Sequence, residues 1–248
     1  MKLLIDAGNT RIKWAVLQGE HWRLTGAFPV EQANELPRLL EQYCEARSID
    51  LRAIVQIWAS NVAGEEVALS ICNIYAGKVK VYFVTAQQQQ CGVRNGYTHA
   101  DQLGSDRWCA LIGAWHEVKG ECLVVNSGTA TTIDALSAQG EFTGGLILPG
   151  VALMQSSLCA MTAGLKQAQG KYMPYPKNTA DAMFSGAIQA SCGATQRQYS
   201  LLANASAPVV LSGGAAELLK EHLKMPLRLV DNLVLHGLLK IAQGESVA

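Results

Sequence analysis

Apolar positions along this chain switch between a period of two and a helical period, and the changeovers lay out an α/β order. Lys2 to Asp6 is a short apolar strand, Ala7-Gly8-Asn9-Thr10 is turn chemistry, and Ile12 to Leu17 alternates back, which predicts a β-hairpin. Leu36, Leu39, Leu40 and Tyr43 share one face of a helix predicted over Leu36 to Arg47. The β-rich runs Ala53 to Ala59 and Val79 to Val84 flank a helical Val67 to Tyr75, which is the alternation of an α/β domain. Gln87 to Gln90 reads as a polar loop. A helix starting near Asp106 turns Leu111, Ile112 and Trp115 inward.

The opening pattern then returns. Leu123-Val124-Val125-Asn126-Ser127-Gly128-Thr129 repeats the layout of Leu3-Leu4-Ile5-Asp6-Ala7-Gly8-Asn9: an apolar strand, a polar residue, a small residue, a glycine and another polar residue. A second β-leaning stretch follows each copy, Ile12 to Leu17 and Thr131 to Leu136. Such a repeat points to two related halves, residues 1–118 and 119–248, packed as one unit and facing each other across a cleft. Each half is expected to be a mixed sheet with helices. Downstream, Gly144 to Gly150 reads as a strand ended by a tight turn, with a helix near Leu153 to Leu165 and a loop over Gly170 to Thr179. An Ala-rich helix over Ala180 to Asn204 follows, then a strand at Val209 to Leu211 entering Ser212-Gly213-Gly214. A helix over Ala215 to Leu223, a strand at Leu227 to Val230 and a helix over Leu233 to Ala242 complete the chain.

The 248 residues suffice for a sizeable core, and 49% hydrophobic with 16% charged residues fits a packed globular protein. Lys plus Arg and Asp plus Glu both number 20, which leaves no basic footprint for nucleic acid and no polybasic patch for a membrane. The apolar run Leu3 to Ile5 is too short for a signal peptide or a spanning helix, so the expected location is cytoplasmic. Seven scattered cysteines without a CxxC pair read as reduced core thiols, and with five scattered histidines they speak against zinc.

There is no Walker A loop and no GxGxxG after a strand. What remains are two strand-end turns, Asp6-Ala7-Gly8-Asn9-Thr10 and Asn126-Ser127-Gly128-Thr129-Ala130-Thr131. Glycine lets backbone N–H groups approach an anion closely, and Asp6 is a hard oxygen ligand suited to Mg²⁺. Alone, the first turn is also what an ordinary hairpin requires. The second copy, and the glycine turn Ser212-Gly213-Gly214 suited to an adenine or ribose, favour two turns gripping the β- and γ-phosphates of ATP.

Asp6-Ala7-Gly8-Asn9-Thr10, Gly104-Ser105-Asp106-Arg107, Gly128-Thr129-Ala130-Thr131-Thr132-Ile133-Asp134 and Gly144-Gly145-Leu146-Ile147-Leu148-Pro149-Gly150 occur in that order. Together they resemble the type III pantothenate kinases of the actin/Hsp70/sugar-kinase superfamily, from Met1 to about Leu239. The resemblance implies an actin-like (ribonuclease H-like) α/β fold for both duplicated halves. It implies phosphorylation of pantothenate by ATP to 4'-phosphopantothenate, the first step of coenzyme A biosynthesis. The turn Asp6, Ala7, Gly8, Asn9, Thr10, Arg11, Ile12 and Lys13 then binds the ATP phosphates and, through Asp6, Mg²⁺; Thr129 contacts ATP as well. Asp106 is implied as the catalytic carboxylate that orients or deprotonates the pantothenate hydroxyl. Gly104, Ser105 and Arg107 line the substrate site, with Arg107 pairing the pantothenate carboxylate in a fork, and Tyr97 and Thr179 contact the substrate. Family members are homodimers, and the helix after Thr179 is expected to contribute to that interface. Read without the family, Asp106 is an N-cap, Arg107 a surface charge and Tyr97 loop packing.

Two positions depart from the family pattern. Asn126 stands where an aspartate linked to a monovalent cation (K⁺ or NH₄⁺) is usual, so activation by potassium is expected to be weak or absent. Ala100 replaces a proline often found before the GxDR element, which loosens that loop slightly. Two alternatives stay open: a sugar-type kinase of the same superfamily, and a degenerate nucleotide-binding homologue with a regulatory role.

Overall fold

The computed structural model describes residues 1–165 and 168–244. Its elements in chain order are β1 (Lys2–Ala7), β2 (Arg11–Gln18), β3 (His21–Pro29), α1 (Leu36–Glu45), β4 (Gln56–Asn61), α2 (Glu65–Cys72) and β5 (Lys80–Phe83). Then come β6 (Gln89–Gln90), β7 (Val93–Asn95), α3 (Ser105–Val118), β8 (Cys122–Ser127), β9 (Ala130–Leu136), β10 (Glu141–Pro149) and α4 (Val151–Met161). The last are α5 (Thr179–Tyr199), β11 (Val209–Ser212), α6 (Ala216–Lys220), β12 (Leu227–Leu229) and α7 (Leu233–Gly244). They form two compact units, Met1–Gly113 with Asn232 onward, and Ala114–Asp231.

In the first unit the strand order is β3-β2-β1-β4-β5, with β1, β2 and β3 antiparallel and β1, β4 and β5 parallel. The alternation of β1 and β2 sends Leu3, Ile5, Ile12, Trp14 and Val16 into a core that Leu36, Leu40 and Cys44 of α1 complete from positions four apart. Each such side chain contributes about 1.5–3 kcal/mol by leaving water. Helix α7 lies against β1 and β4. It meets α3 backbone to backbone: a Cβ at Gly237 would come 1.8 Å from the Cys109 carbonyl oxygen, and one at Gly113 2.7 Å from that of Leu233. Gly→Ala in an open helix gains about 1 kcal/mol, but here the added methyl has no room. Gly237→Ala is therefore expected to lose about 2–3 kcal/mol and to lower the melting temperature by several degrees in a thermal unfolding scan.

The second unit repeats the same order, β10-β9-β8-β11-β12, with β8, β9 and β10 antiparallel and β8, β11 and β12 parallel. Leu123, Val125, Ile133, Val209 and Leu211 of these strands enclose a core with Ile188 of α5 and Leu219 of α6. The similarity of the two hairpins in the sequence is thus part of a longer similarity, in which β1 to β5 correspond to β8 to β12.

Several details differ from expectation. The compact units do not coincide with residues 1–118 and 119–248: the division falls inside α3 after Gly113, and α7 belongs with the first unit because Gly113 and Gly237 let it seat there. Strand β3, at the edge of its sheet, was not anticipated; its His, Arg and Gly residues disguise the alternation. Gln89–Gln90 is strand rather than loop, closed onto β7 by Cys91 and Gly92, both at positive φ (51° and 82°). Gly150 does not end a tight turn but leads directly into α4. Among the described residues no helix is long and apolar enough to cross a membrane.

Candidate active site

In the first unit, β1 carries Asp6 and Ala7 to the end of the sheet, and the chain reverses through Gly8, Asn9 and Thr10 into β2. The Gly8 N–H donates to the Arg11 carbonyl at 3.1 Å, leaving Asn9, Thr10 and Arg11 exposed at the tip, while Ile12 is buried behind them. Lys13 stands opposite Asp6 in the antiparallel register. Asp6 is only 8% exposed, and burial pushes its carboxyl up to about 7; Lys13 pulls it down and the Asp106 carboxylate pushes it up. A buried carboxylate whose charge is costly is suited to a cation, so the residues present fit Mg²⁺ at Asp6.

The GxDR element opens α3. Ser105 is its first residue and Asp106 its second, and the Asp106 Oδ1 accepts the Arg107 backbone N–H at 2.8 Å. A Cβ at Gly104 would lie 2.7 Å from this same Oδ1, so glycine there leaves space for the carboxylate. Arg107 is not a surface charge. It is 6% exposed, and its Nη1 donates to the Tyr97 hydroxyl at 2.8 Å. Tyr97 is held in turn by Asn95, 2% exposed, whose side chain accepts the Tyr97 N–H at 3.0 Å and donates to the Ala100 carbonyl at 3.1 Å. This closure does without the proline that Ala100 replaces.

In the second unit, β8 ends at Asn126 and Ser127, and Gly128, Thr129 and Ala130 are exposed in the turn to β9. The buried Ser127 and Thr131 hydroxyls lie 3.0 Å apart across its base. Two glycines let backbone press against this turn: a Cβ at Gly150 would fall 2.0 Å from the Gly128 carbonyl, and one at Gly213 2.3 Å from the Ser127 carbonyl. Gly213 also sits at φ +99°, where a side chain is strained. The Ser212-Gly213-Gly214 turn is thereby part of the same construction. Thr179 is the first residue of α5, exposed, next to an N-cap in which the Asn178 Oδ1 accepts the Asp181 N–H at 2.9 Å.

Asp6 thus stands opposite Lys13 in the β1–β2 ladder, with its carboxyl pushed up by the Asp106 charge, and Tyr97 is joined to Arg107 directly. Asn126 and Thr129 share one turn of the second unit, and Thr179 belongs to a different element of it. Two polar residues of the first unit escaped the sequence reading. Ser60 is isolated in an apolar strand and carries no pattern. Asn95, two residues before Tyr97, has the spacing of an Asx-turn and was legible in principle.

The type III pantothenate kinase family model matches residues 2–200. Along the full length of both chains, the sequence is 45% identical to a type III pantothenate kinase from Aromatoleum aromaticum. It is 44% identical to one from Nitrosospira multiformis, over 98% of this chain and 92% of that protein. Among solved structures, a protein from Sinorhizobium meliloti assigned as a 2-dehydro-3-deoxygalactonokinase superposes with a TM-score of 0.65 at 14% identity, covering 98% of this chain and 96% of its own. A Campylobacter jejuni protein assigned to the Baf family of transcriptional activators reaches 0.63 at 20% identity, covering 99% and 100%. These two likenesses concern the fold, which is the actin-like α/β fold with a mixed sheet and helices in each unit. With a family model spanning most of the chain and relatives matching it from end to end, the chain belongs to the type III pantothenate kinase family.

Proposed function

We propose that this chain transfers the γ-phosphoryl group of ATP to the primary hydroxyl of pantothenate, giving 4'-phosphopantothenate and ADP. The observation that carries this reading is the GxDR element at the start of α3, where Asp106 stands in the first turn and Arg107 is buried against Tyr97, in a chain of this family. The transition state of phosphoryl transfer is loose, so positioning and charge neutralisation do most of the work. The turn Asp6 to Lys13 and Thr129 hold the ATP phosphates. Asp6 would hold Mg²⁺, which would supply neutralisation of phosphate charge. Asp106 aligns the substrate hydroxyl and accepts its proton late, because a carboxylate is a weak base towards an alcohol. Gly104, Ser105 and Thr179 line the pantothenate, and Arg107 pairs its carboxylate. Mass spectrometry of reactions with Mg-ATP and a panel of hydroxyl compounds tests this: a phosphoryl gain on pantothenate is expected, and phosphorylation of hexoses in its place would point to a sugar-type kinase.

Removing the Tyr97 hydroxyl frees one arm of Arg107. Tyr97→Phe is therefore expected to raise the KM for pantothenate about 10- to 100-fold, as loss of a charged-group hydrogen bond does, with the KM for ATP unchanged in steady-state assays.

Asn126 offers an amide oxygen and no charge to a monovalent cation. Rates in potassium, ammonium and a bulky organic-cation buffer are expected to agree within about twofold, a difference below about 0.4 kcal/mol; a strong requirement for potassium would contradict this role for Asn126. A homodimer also belongs to this reading. Its support is the concentration of exposed large apolar side chains on β10 and α4, including Ile147 (65%), Leu153 (43%), Leu158 (41%) and Met161 (84%). Light scattering on the purified protein checks it.

A further inference from the structure

The two carboxylates of the proposed site sit on different elements, Asp6 on β1 and Asp106 on α3, so the reaction depends on the spacing of a strand and a helix. Strand β4 runs parallel to β1 with Ser60 the registered neighbour of Asp6. Registered neighbours in a sheet project to the same face, so the Ser60 side chain stands beside that of Asp6. Ser60 is completely buried, and its hydroxyl lies 2.9 Å from that of Ser105, the first residue of α3 and the chain neighbour of Asp106. We propose that Ser60 and Ser105 form a clasp that holds the N-terminus of α3, and with it Asp106, at its working distance from the phosphate-binding strand.

The helix is anchored elsewhere to other elements: it is locked against α7 at Cys109 and Gly113, Trp108 donates its indole N–H to the Gln90 side chain at 3.0 Å, and Arg107 donates to the Tyr97 hydroxyl. In the first turn, the Ser60–Ser105 pair ties α3 to the strand beside Asp6. Each hydroxyl can donate or accept, so the bond forms with either polarity. Ser60 is a positioning residue: with no exposed surface it touches neither substrate nor nucleotide, and it acts through Ser105.

This inference rests on Asp106 being the catalytic carboxylate. Ser105→Ala, Ser60→Ala and the double variant are compared by steady-state kinetics at saturating Mg-ATP and pantothenate, on protein shown to be folded by circular dichroism. Because a misplacement of about 1 Å costs up to about 10²-fold, each single variant is expected to lose about tenfold in kcat. The KM for ATP stays within about twofold, and the double variant is no worse than Ser60→Ala, since the two hydroxyls act as one bond. Wild-type kcat in Ser60→Ala, a change confined to KM, losses that multiply in the double variant, or a lowered melting temperature with kcat intact would each overturn it. If Ser60→Ala does not fold, Ser60→Cys takes its place: it keeps the size of the side chain and weakens the same bond, and wild-type kcat in that variant overturns the clasp. A wild-type protein without pantothenate-dependent turnover removes the parent reading and the clasp together, whereas an active wild type matched by Ser105→Ala removes only the clasp.

Discussion

Replacing Asp106 by asparagine is expected to lower kcat by about 10²- to 10⁴-fold, the usual worth of a positioned proton acceptor, while the KM for ATP moves less than about twofold. Asparagine keeps the shape of the side chain and an oxygen able to accept the Arg107 N–H, the bond of 2.8 Å that Asp106 makes in the first turn of α3. It also occupies the same space over Gly104. The helix start therefore survives, and what is lost is the negative charge that orients the substrate hydroxyl and takes its proton. Steady-state kinetics with both substrates varied separates the effects. Near-normal turnover in a folded variant would show that Asp106 is only a helix cap, the role that aspartate takes at many helix starts.

Asp6→Asn is expected to do two opposite things, abolishing turnover while making the ligand-free protein more stable. Asp6 is buried, and its carboxyl is raised from the ordinary 3.8 to about 7, first by burial and then by Asp106, against the pull of Lys13. A carboxyl raised in this way binds its proton more tightly in the folded chain than in the unfolded one. The stability it contributes is complete below about 4 and is lost as pH rises through about 7. At pH 8 the ionised group costs the fold on the order of 4 kcal/mol. Asparagine cannot ionise, so the variant should melt several degrees higher than the parent at pH 8, and the gain should shrink as pH falls and be largely gone by pH 4. A variant that melts lower than the parent at every pH would mean that Asp6 serves the fold instead of a cation and phosphate. Stability surrendered at a site of chemistry is a common pattern.

The parts of the fold that follow from local alternation were legible in the sequence. The β1–β2 hairpin, the Leu36 helix and the return of the opening pattern at Leu123 all rest on side chains whose faces are set by a period of two or 3.6. Strand β3 was not legible because an edge strand needs no strong alternation, and Gln89–Gln90 because a two-residue strand has no period at all. The seating of α7 on the first unit depends on Gly113 and Gly237, and close backbone approach between helices distant in sequence leaves no local trace. The site divides the same way. Asp6 and the GxDR element stand at strand and helix ends with recognisable turn chemistry. The burial of Arg107 against Tyr97, and of Ser60 against Ser105, comes from packing across 10 and 45 residues of chain and appears only in the folded molecule.

The measurement that tests the central claim most directly is ADP formation by the purified protein with Mg-ATP, with and without pantothenate. ADP that appears only with pantothenate, in equal amount with phosphorylated pantothenate, is the expected result. No stimulation by pantothenate, in folded protein with potassium present, would contradict the assignment and leave a nucleotide-binding homologue with another substrate or none.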